Sequence, residues 1–234
     1  MILVYLDLLK VDAFAAVVFF TAIVTALVAG ISFHEFSHAF TADSMGDPTP
    51  RSRGRVTLNP LAHLDPAGTV LLFIVGFGWG KPVPVNPHGL RNGPKAGMAL
   101  VSTAGPISNL FVAGIIALTI KLGFLEWHRP FSFRPFAVHE VSWIASDLAG
   151  YLIFYNLILA IFNLIPLAPL DGFKVAVGIL PSELSTSYAQ TERYGPMILL
   201  LIIGFDYFTG VGILSRIISP VIDAVGTALI GRTF

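Results

Sequence analysis

The feature of this sequence that most restricts its fold is a set of apolar segments long enough to cross a lipid bilayer. They are residues 13–33, 96–124 and 149–170, followed by an interrupted apolar stretch at 196–230. A helix needs about 20 predominantly apolar residues to span the hydrocarbon core, so each of the first three segments can span it. Only 12% of the 234 residues are charged, against about 25% in an average soluble domain. The sequence therefore predicts an integral membrane protein.

The fold class predicted from these segments is an all-α, polytopic helical bundle, because a helix satisfies its own backbone hydrogen bonds inside lipid. We expect about four to six transmembrane segments, since residues 1–10 and 196–231 could either span the membrane or lie flat on it. Residues 67–80 are apolar but short, and they end in glycines, which favours a re-entrant or extended membrane-associated segment. The chain, residues 1–234, is expected to form a single membrane domain.

Charge and cysteine content exclude several classes of protein. The 14 Lys and Arg residues balance the 14 Asp and Glu residues, whereas a nucleic-acid-binding protein needs a basic face. The absence of cysteine excludes a disulfide scaffold and a cysteine nucleophile. Any bound metal must therefore be held by histidine and carboxylate side chains.

Basic residues indicate the orientation of the chain in the membrane. Six of them lie between the first two apolar segments: Arg51, Arg53, Arg55, Lys81, Arg91 and Lys95. The positive-inside rule places that loop in the cytoplasm. We expect a multi-pass protein of the cell membrane whose polar residues near 34–38 and 163–172 meet close to the cytoplasmic side.

The first of these polar groups is the pentapeptide His34-Glu35-Phe36-Ser37-His38. Four residues along a helix turn about 400° and rise about 6 Å, so both imidazoles share one face and can bind one metal ion. An ionisable residue in a membrane helix costs about 2.5–3.5 kcal/mol near the bilayer centre and usually marks function. The structural alternative is a pair of hydrogen-bonded histidines beside a glutamate that reaches the interface.

The third ligand of such a metal must come from elsewhere, because catalytic zinc normally has three protein ligands and one open position. Asp171 is the best-placed carboxylate: it follows an apolar helix, Pro166 and Pro169 break that helix, and Gly172 allows the chain to turn. With this helix expected over 149–170, Asn163 would lie about two turns before Asp171 on the same helix. Alternatively, Asp171 is a hydrated residue at a helix end.

Three motifs occur in a fixed order along the chain. They are His34–His38, Gly105–Asn109 with the sequence Gly-Pro-Ile-Ser-Asn, and Asn163–Gly172, which ends in Leu-Asp-Gly. In this arrangement the sequence resembles the site-2 protease family of intramembrane zinc metalloproteases, over about residues 11–178, the expected catalytic core. It looks like the compact bacterial and archaeal members, so a regulatory domain of the PDZ or CBS type is not expected.

The resemblance implies the activity and the site residues. The implied reaction is hydrolysis of peptide bonds within or next to transmembrane helices of membrane protein substrates, as in regulated intramembrane proteolysis. One Zn²⁺ per chain is implied, with the ligands His34, His38 and Asp171. Glu35 is the implied general base, and Asn163 and Asn109 are implied to orient the substrate or stabilise the developing oxyanion. Each asparagine could instead hydrogen-bond between helices.

Several alternatives remain open from the sequence. Residues 81–87 contain Pro82, Pro84 and Pro87, which favours an extended segment that either receives an unwound substrate as an added strand or acts as a lid. Each proline removes a backbone donor, so such a strand could pair only partly. His63, His88, His128 and His139 are expected at surfaces or interfaces. A metal transporter or an inactive, substrate-binding relative would also place His and Asp in the membrane. The sequence does not indicate the substrate or the oligomeric state.

Overall fold

Helices dominate the computed structural model of the chain, which describes residues 9–10, 12–75, 78–131 and 141–234. Its longer helices are α1 (Ala13–Ser44), α2 (Pro66–Val75), α3 (Gly93–Lys121), α4 (Val141–Asn163), α5 (Asp171–Ile179), α6 (Ser182–Ala189), α7 (Gly195–Thr209) and α8 (Ile213–Ile230). Helices α1, α3, α4 and α8 are long and apolar enough to cross a membrane. The predicted polytopic helical bundle is confirmed, whereas the question of a span at residues 1–10 falls almost wholly outside the described residues.

Helices α1, α3 and α4 pack against one another and form the centre of the bundle. Between α1 and α4 the contact is aromatic and aliphatic, and its buried residues are Phe19, Ala22, Ile23, Ala26, Leu27, Tyr151 and Tyr155. Helix α8 covers α3 and α4 through a second cluster that includes Ala113, Ala117, Ile153, Leu157 and Ile222. The alanines allow close approach of the helix backbones, as is usual in membrane helix packing.

Helix α1 is longer than its apolar run. Asp12 caps its first turn, because the carboxylate accepts a hydrogen bond from the backbone N–H of Ala15 at 3.0 Å. The helix continues through the histidine pentapeptide and ends at Ser44, before Gly46 with φ +105°. The pentapeptide therefore lies within the helix rather than at its end, and its two histidines keep helical spacing.

The prediction of a helix over 149–170 is wrong at both ends. Helix α4 begins at Val141 and ends at Asn163, and Asp171 is the first residue of the next helix, α5. The reason is that Pro166 and Pro169 cannot supply the backbone N–H groups that a continuing helix needs. Asn163 and Asp171 therefore belong to different helices. A Cβ at Gly172 would collide with the carbonyl oxygen of Leu164, so only glycine allows this close return of the chain.

Residues 46–92, which connect α1 to α3, fold back against the inner part of α1. Helix α2 is too short to cross a membrane, in agreement with the predicted short membrane-associated segment. After α2 the chain returns, and Gly80 forms an isolated antiparallel bridge with Leu64. The backbone N–H of Lys81 donates to the carbonyl of His63 at 2.7 Å. This bridge positions the proline-spaced segment 81–87 beside the histidines of α1.

Candidate metal and catalytic site

Three of the predicted site residues meet at one point. His34 and His38 project from the same face of α1, and Asp171 reaches them from the first turn of α5. The carboxylate atom Oδ2 of Asp171 lies 3.0 Å from Nε2 of His34 and 3.1 Å from Nε2 of His38. One ligand atom from each residue lies within 4.8 Å of the other two. All three side chains are largely buried.

The opposite ring nitrogens determine which atoms can bind a metal. Nδ1 of His34 donates to Oδ1 of Asn109 at 2.6 Å, and Nδ1 of His38 donates to the carbonyl of Val101 at 2.7 Å. Both partners are oxygen acceptors, so Nδ1 carries the proton in each ring. A neutral imidazole has only one N–H, so in the neutral form of each histidine Nε2 is a lone pair that can bind a metal.

Two lone pairs and a carboxylate oxygen at about 3 Å need a cation between them, because acceptor atoms at this distance repel each other. Tetrahedral zinc with bonds of about 2.0–2.1 Å keeps its ligands about 3.3 Å apart. The observed separations from Asp171 are 3.0 and 3.1 Å. The donor set and its spacing thus fit Zn²⁺ with one position left open.

The charge of Asp171 also suits a cation. Burial by itself would raise the pKa of this carboxyl, but the hydrogen bonds it shares with His34 and His38 when the rings are protonated outweigh burial and hold the pKa below its usual range. Asp171 is therefore an anion across the physiological pH range, and the ionised carboxylate is the form that binds metals.

Glu35 lines a cavity of about 590 Å³ together with the three converging residues. The opposite wall is formed by segment 78–85, and a Cβ built on Gly80 would lie 3.5 Å from Oε1 of Glu35. Asn163 lines the same cavity from the end of α4. Its Nδ2 donates to the carbonyl of Leu159 at 2.8 Å, which leaves a second amide N–H for another acceptor.

Asn109 is not placed where the sequence analysis expected a substrate-contacting residue. Its side chain is fully buried, and it does not line the cavity. It lies behind His34 and accepts the Nδ1 proton of that ring. The physical reason is its position on the face of α3 that packs against α1 and α4, so that its amide contacts the protein interior on every side.

Asn156 is a polar residue near the site that sequence analysis missed. It is fully buried on α4 and accepts a hydrogen bond from Asn109 at 2.8 Å. One signal was available: Asn156 lies seven residues before Asn163, so both occur on one face of a membrane helix.

The other histidines were expected at surfaces or interfaces rather than at a metal, and two of them are buried instead. His63 is fully buried and donates from Nε2 to the carbonyl of Thr57 at 2.7 Å. His128 is buried against Asp147, with 2.7 Å between Nδ1 and the carboxylate. His88 is exposed as expected, and His139 lies outside the described residues. Neither buried histidine belongs to a three-ligand cluster among the residues that the structure describes.

Comparison with known proteins gives a consistent result. The family model described as "Peptidase family M50" matches residues 22–203. The chain is 34% identical over 205 residues to "Putative zinc metalloprotease YwhC" of Bacillus subtilis (strain 168), and the match covers 86% of each chain. It is 30% identical over 190 residues to "Putative zinc metalloprotease Rip2" of Mycolicibacterium smegmatis, covering 79% of this chain and 67% of that protein. No solved structure matches the chain.

Proposed function

The chain belongs to peptidase family M50, the site-2 proteases, and on that premise we propose that it hydrolyses peptide bonds within or next to transmembrane helices of membrane protein substrates. It is a zinc-dependent metalloprotease with several membrane-spanning helices. The proposed setting is regulated intramembrane proteolysis in the cell membrane. The proposed orientation puts the site near the cytoplasmic side, on the basis of the basic residues between α1 and α3.

The observation that supports this proposal best is the convergence of two free imidazole nitrogens and one carboxylate beside Glu35. We assign His34, His38 and Asp171 as the zinc ligands and Glu35 as the general base. When bound, Zn²⁺ lowers the pKa of a water to about 7 and polarises the carbonyl that is attacked. These four side chains line one cavity between membrane helices, which is the arrangement that cleavage inside a membrane requires.

Glu35 carries the proton in the proposed reaction. Its carboxylate accepts a proton from the attacking water and then donates it to the nitrogen of the leaving amine. Glu35 follows His34 directly on α1, so its side chain projects about 100° away around the helix and remains free of the metal ligands. The Asn163 amide, at the end of α4, is assigned to the substrate carbonyl, where a second N–H can stabilise developing negative charge.

Segment 81–87 is proposed to bind the substrate after its helix unwinds. Val83 and Val85 line the cavity, and no hydrogen bond among the described residues engages their backbone N–H groups. In an extended chain, residues two apart direct their N–H groups to the same edge. The donors missing at Pro82 and Pro84 therefore fall on one edge, whereas the other edge keeps the N–H groups of Val83 and Val85 for an added strand. Pairing is limited to these two donors, because the N–H of Lys81 already donates to His63 and Pro87 has no N–H.

Both ends of this extended segment are held by buried side chains. Arg55 donates from Nη1 to the carbonyl of Lys81 at 3.1 Å, and Asp47 accepts from the backbone N–H of Asn86 at 2.7 Å. Arg55 and Asp47 are themselves largely buried. Because segment 81–87 is fixed at both ends, it loses little conformational entropy when it pairs with a substrate. This supports a role as a binding edge over a role as a mobile lid.

The function is tested with purified protein reconstituted in liposomes with a single-pass membrane substrate. We expect about one zinc per chain and cleavage by the wild type, zinc without cleavage in Glu35→Gln, and neither in His34→Ala. Glu35→Gln is the matched variant, because it keeps the shape of the side chain and removes only its basicity. Cleavage that survives Glu35→Gln, or a wild-type chain without zinc, would overturn the proposal and favour a transporter or an inactive relative.

A further inference from the structure

A continuous chain of buried amides connects His34 to the middle of α4. Oδ1 of Asn109 accepts from Nδ1 of His34 at 2.6 Å, and Nδ2 of Asn109 donates to Oδ1 of Asn156 at 2.8 Å. Nδ2 of Asn156 in turn donates to the carbonyl of Leu152 at 2.8 Å. Both asparagines are fully buried. The two asparagines therefore connect α1 through α3 to α4, and neither of them lines the cavity.

The hydrogen bonds of Asn109 fix the direction in which its amide points. Its two N–H groups are both used, one on Asn156 and the other on the carbonyl of Gly30 at 3.0 Å. If the amide rotated by 180°, its oxygen would face the oxygens of Gly30 and Asn156, and all three are acceptors. The observed orientation, with Oδ1 toward His34, is thus enforced by partners that do not touch the histidine.

The orientation of Asn109 decides which nitrogen of His34 is free. An oxygen facing Nδ1 requires a proton there and leaves Nε2 unprotonated for the metal. An N–H facing Nδ1 would instead favour the tautomer that carries its proton on Nε2, and that tautomer cannot bind zinc. In the interior of a membrane protein water is not available to replace a missing partner, so the amide chain controls the tautomer strongly.

We propose that Asn156 is a positioning residue for the metal ligand His34, acting through Asn109 to keep Nε2 free. The proposal rests on the assignment of His34 as a zinc ligand. It also gives α4 a second connection to the site: Asn156 lies two turns before Asn163, which lines the cavity. One helix thereby sets both the tautomer of a ligand and the location of the amide assigned to the substrate.

The experiment compares zinc affinity in Asn156→Leu, Asn156→Asp and the wild type by competition with a chelator. Leucine removes the acceptor for Asn109, the direct partner of His34. Loss of a direct partner typically weakens metal binding by about 10–100-fold, so we expect Asn156→Leu to weaken zinc binding by up to this factor. Asn156→Asp, protonated in this apolar interior, still accepts from Asn109 and donates to Leu152, so near wild-type affinity is expected. The Co²⁺-substituted proteins should show a changed visible spectrum for Asn156→Leu only.

The neighbouring variant Leu157→Ala is the control for general loss of packing. Leu157 is also fully buried on α4, so its truncation should lower the melting temperature and leave zinc affinity unchanged. If Asn156→Leu does not fold, Asn156→Ser replaces it, because the shorter hydroxyl cannot reach Asn109.

Two results would overturn the inference. In the first, Asn156→Leu, or Asn156→Ser in its place, binds zinc as tightly as the wild type. In the second, Leu157→Ala weakens zinc binding equally. Both leave the proposed function intact, because wild type then still binds zinc and Glu35→Gln still abolishes cleavage. A wild-type chain without zinc would instead overturn both proposals together.

Discussion

Gly105 of α3 faces the ring of His38 so closely that a Cβ at this position would lie 2.5 Å from His38 Nε2. The same Cβ would lie 2.7 Å from Cε1 of His34. No side chain fits between α3 and these two rings. The absence of a side chain at residue 105 therefore sets how closely α3 approaches the face of α1 that carries His34 and His38, which explains why a glycine begins the Gly105–Asn109 motif.

Gly105→Ala is expected to abolish zinc binding, because the new methyl group must displace both imidazoles from their positions opposite Asp171. The matched control is Gly114→Ala on the same helix, where the nearest atom to the new Cβ is Cδ2 of Leu229 at 3.9 Å. Zinc content of the two purified variants is the measurement. Wild-type zinc content in Gly105→Ala would show that α3 can retreat without disturbing the ligands.

Val83→Pro and Val85→Pro are expected to impair substrate binding. Each change removes one N–H donor from the edge that carries Val83 and Val85, while zinc content is expected to stay at the wild-type level because neither residue offers a metal ligand. Each lost hydrogen bond to a substrate strand is worth about 0.5–1.5 kcal/mol, which corresponds to a rise in KM of roughly 2–13-fold. Steady-state cleavage in liposomes measures this effect.

Pro84→Ala provides the opposite control for that edge. It restores a donor on the edge away from the added strand, so KM should remain at the wild-type value. An equal rise in KM for Pro84→Ala would argue that segment 81–87 acts through its stiffness, as a lid, rather than through an edge that pairs with the substrate.

The convergence of His34, His38 and Asp171 was predictable from sequence because coordination chemistry restricts both residue type and spacing. His34 and His38 share a helix face at any tertiary arrangement, and Asp171 is marked by the prolines that precede it. The end of α4 was not predictable from hydropathy, since residues 164–170 are as apolar as the helix itself. The helix ends there because Pro166 and Pro169 cannot donate the backbone hydrogen bonds that a longer helix would need.

The roles of the two buried asparagines could not be derived from sequence for a different reason. An asparagine in an apolar helix signals a hydrogen bond but does not identify its partner. Asn109 contacts His34 only because α3 packs beside α1, and Asn156 contacts Asn109 only once α4 is in place. His63 is similar: its burial depends on the way residues 46–65 fold beneath segment 80–81.

Acid is expected to weaken the hydrogen bond by which the Asp47 carboxylate holds the backbone N–H of Asn86, at the end of segment 81–87. Burial of Asp47 would raise its pKa, but hydrogen bonds from Thr49 and from the backbone of Asn86 outweigh burial and lower the pKa below the ordinary value of 3.8. A carboxyl group whose pKa is lowered in the folded state contributes its full stabilisation at pH values above its ordinary pKa. This stabilisation is lost as the pH falls through the lower pKa of the folded state.

Asp47→Asn removes this titration and serves as the comparison. The wild type should be more stable than the variant at neutral pH, and the gap should close below pH 3.8. Thermal unfolding of both detergent-solubilised proteins across this range measures the gap. A gap that is independent of pH would mean that the charge of Asp47 does not contribute to holding Asn86.

Removal of zinc is expected to destabilise the wild type and to leave Asp171→Ala unaffected. A metal that binds only the folded chain stabilises it by about 2.7 kcal/mol at a free concentration 100 times its Kd. Chelation should therefore lower the melting temperature of the wild type. It should lower that of Glu35→Gln equally, since Glu35 is assigned to proton transfer and not to metal binding.

Asp171→Ala lacks one of the three converging side chains, so its melting temperature should be the same with and without chelator. A chelator-sensitive Asp171→Ala would place the third ligand elsewhere, and an insensitive Glu35→Gln would make Glu35 a ligand instead of the base.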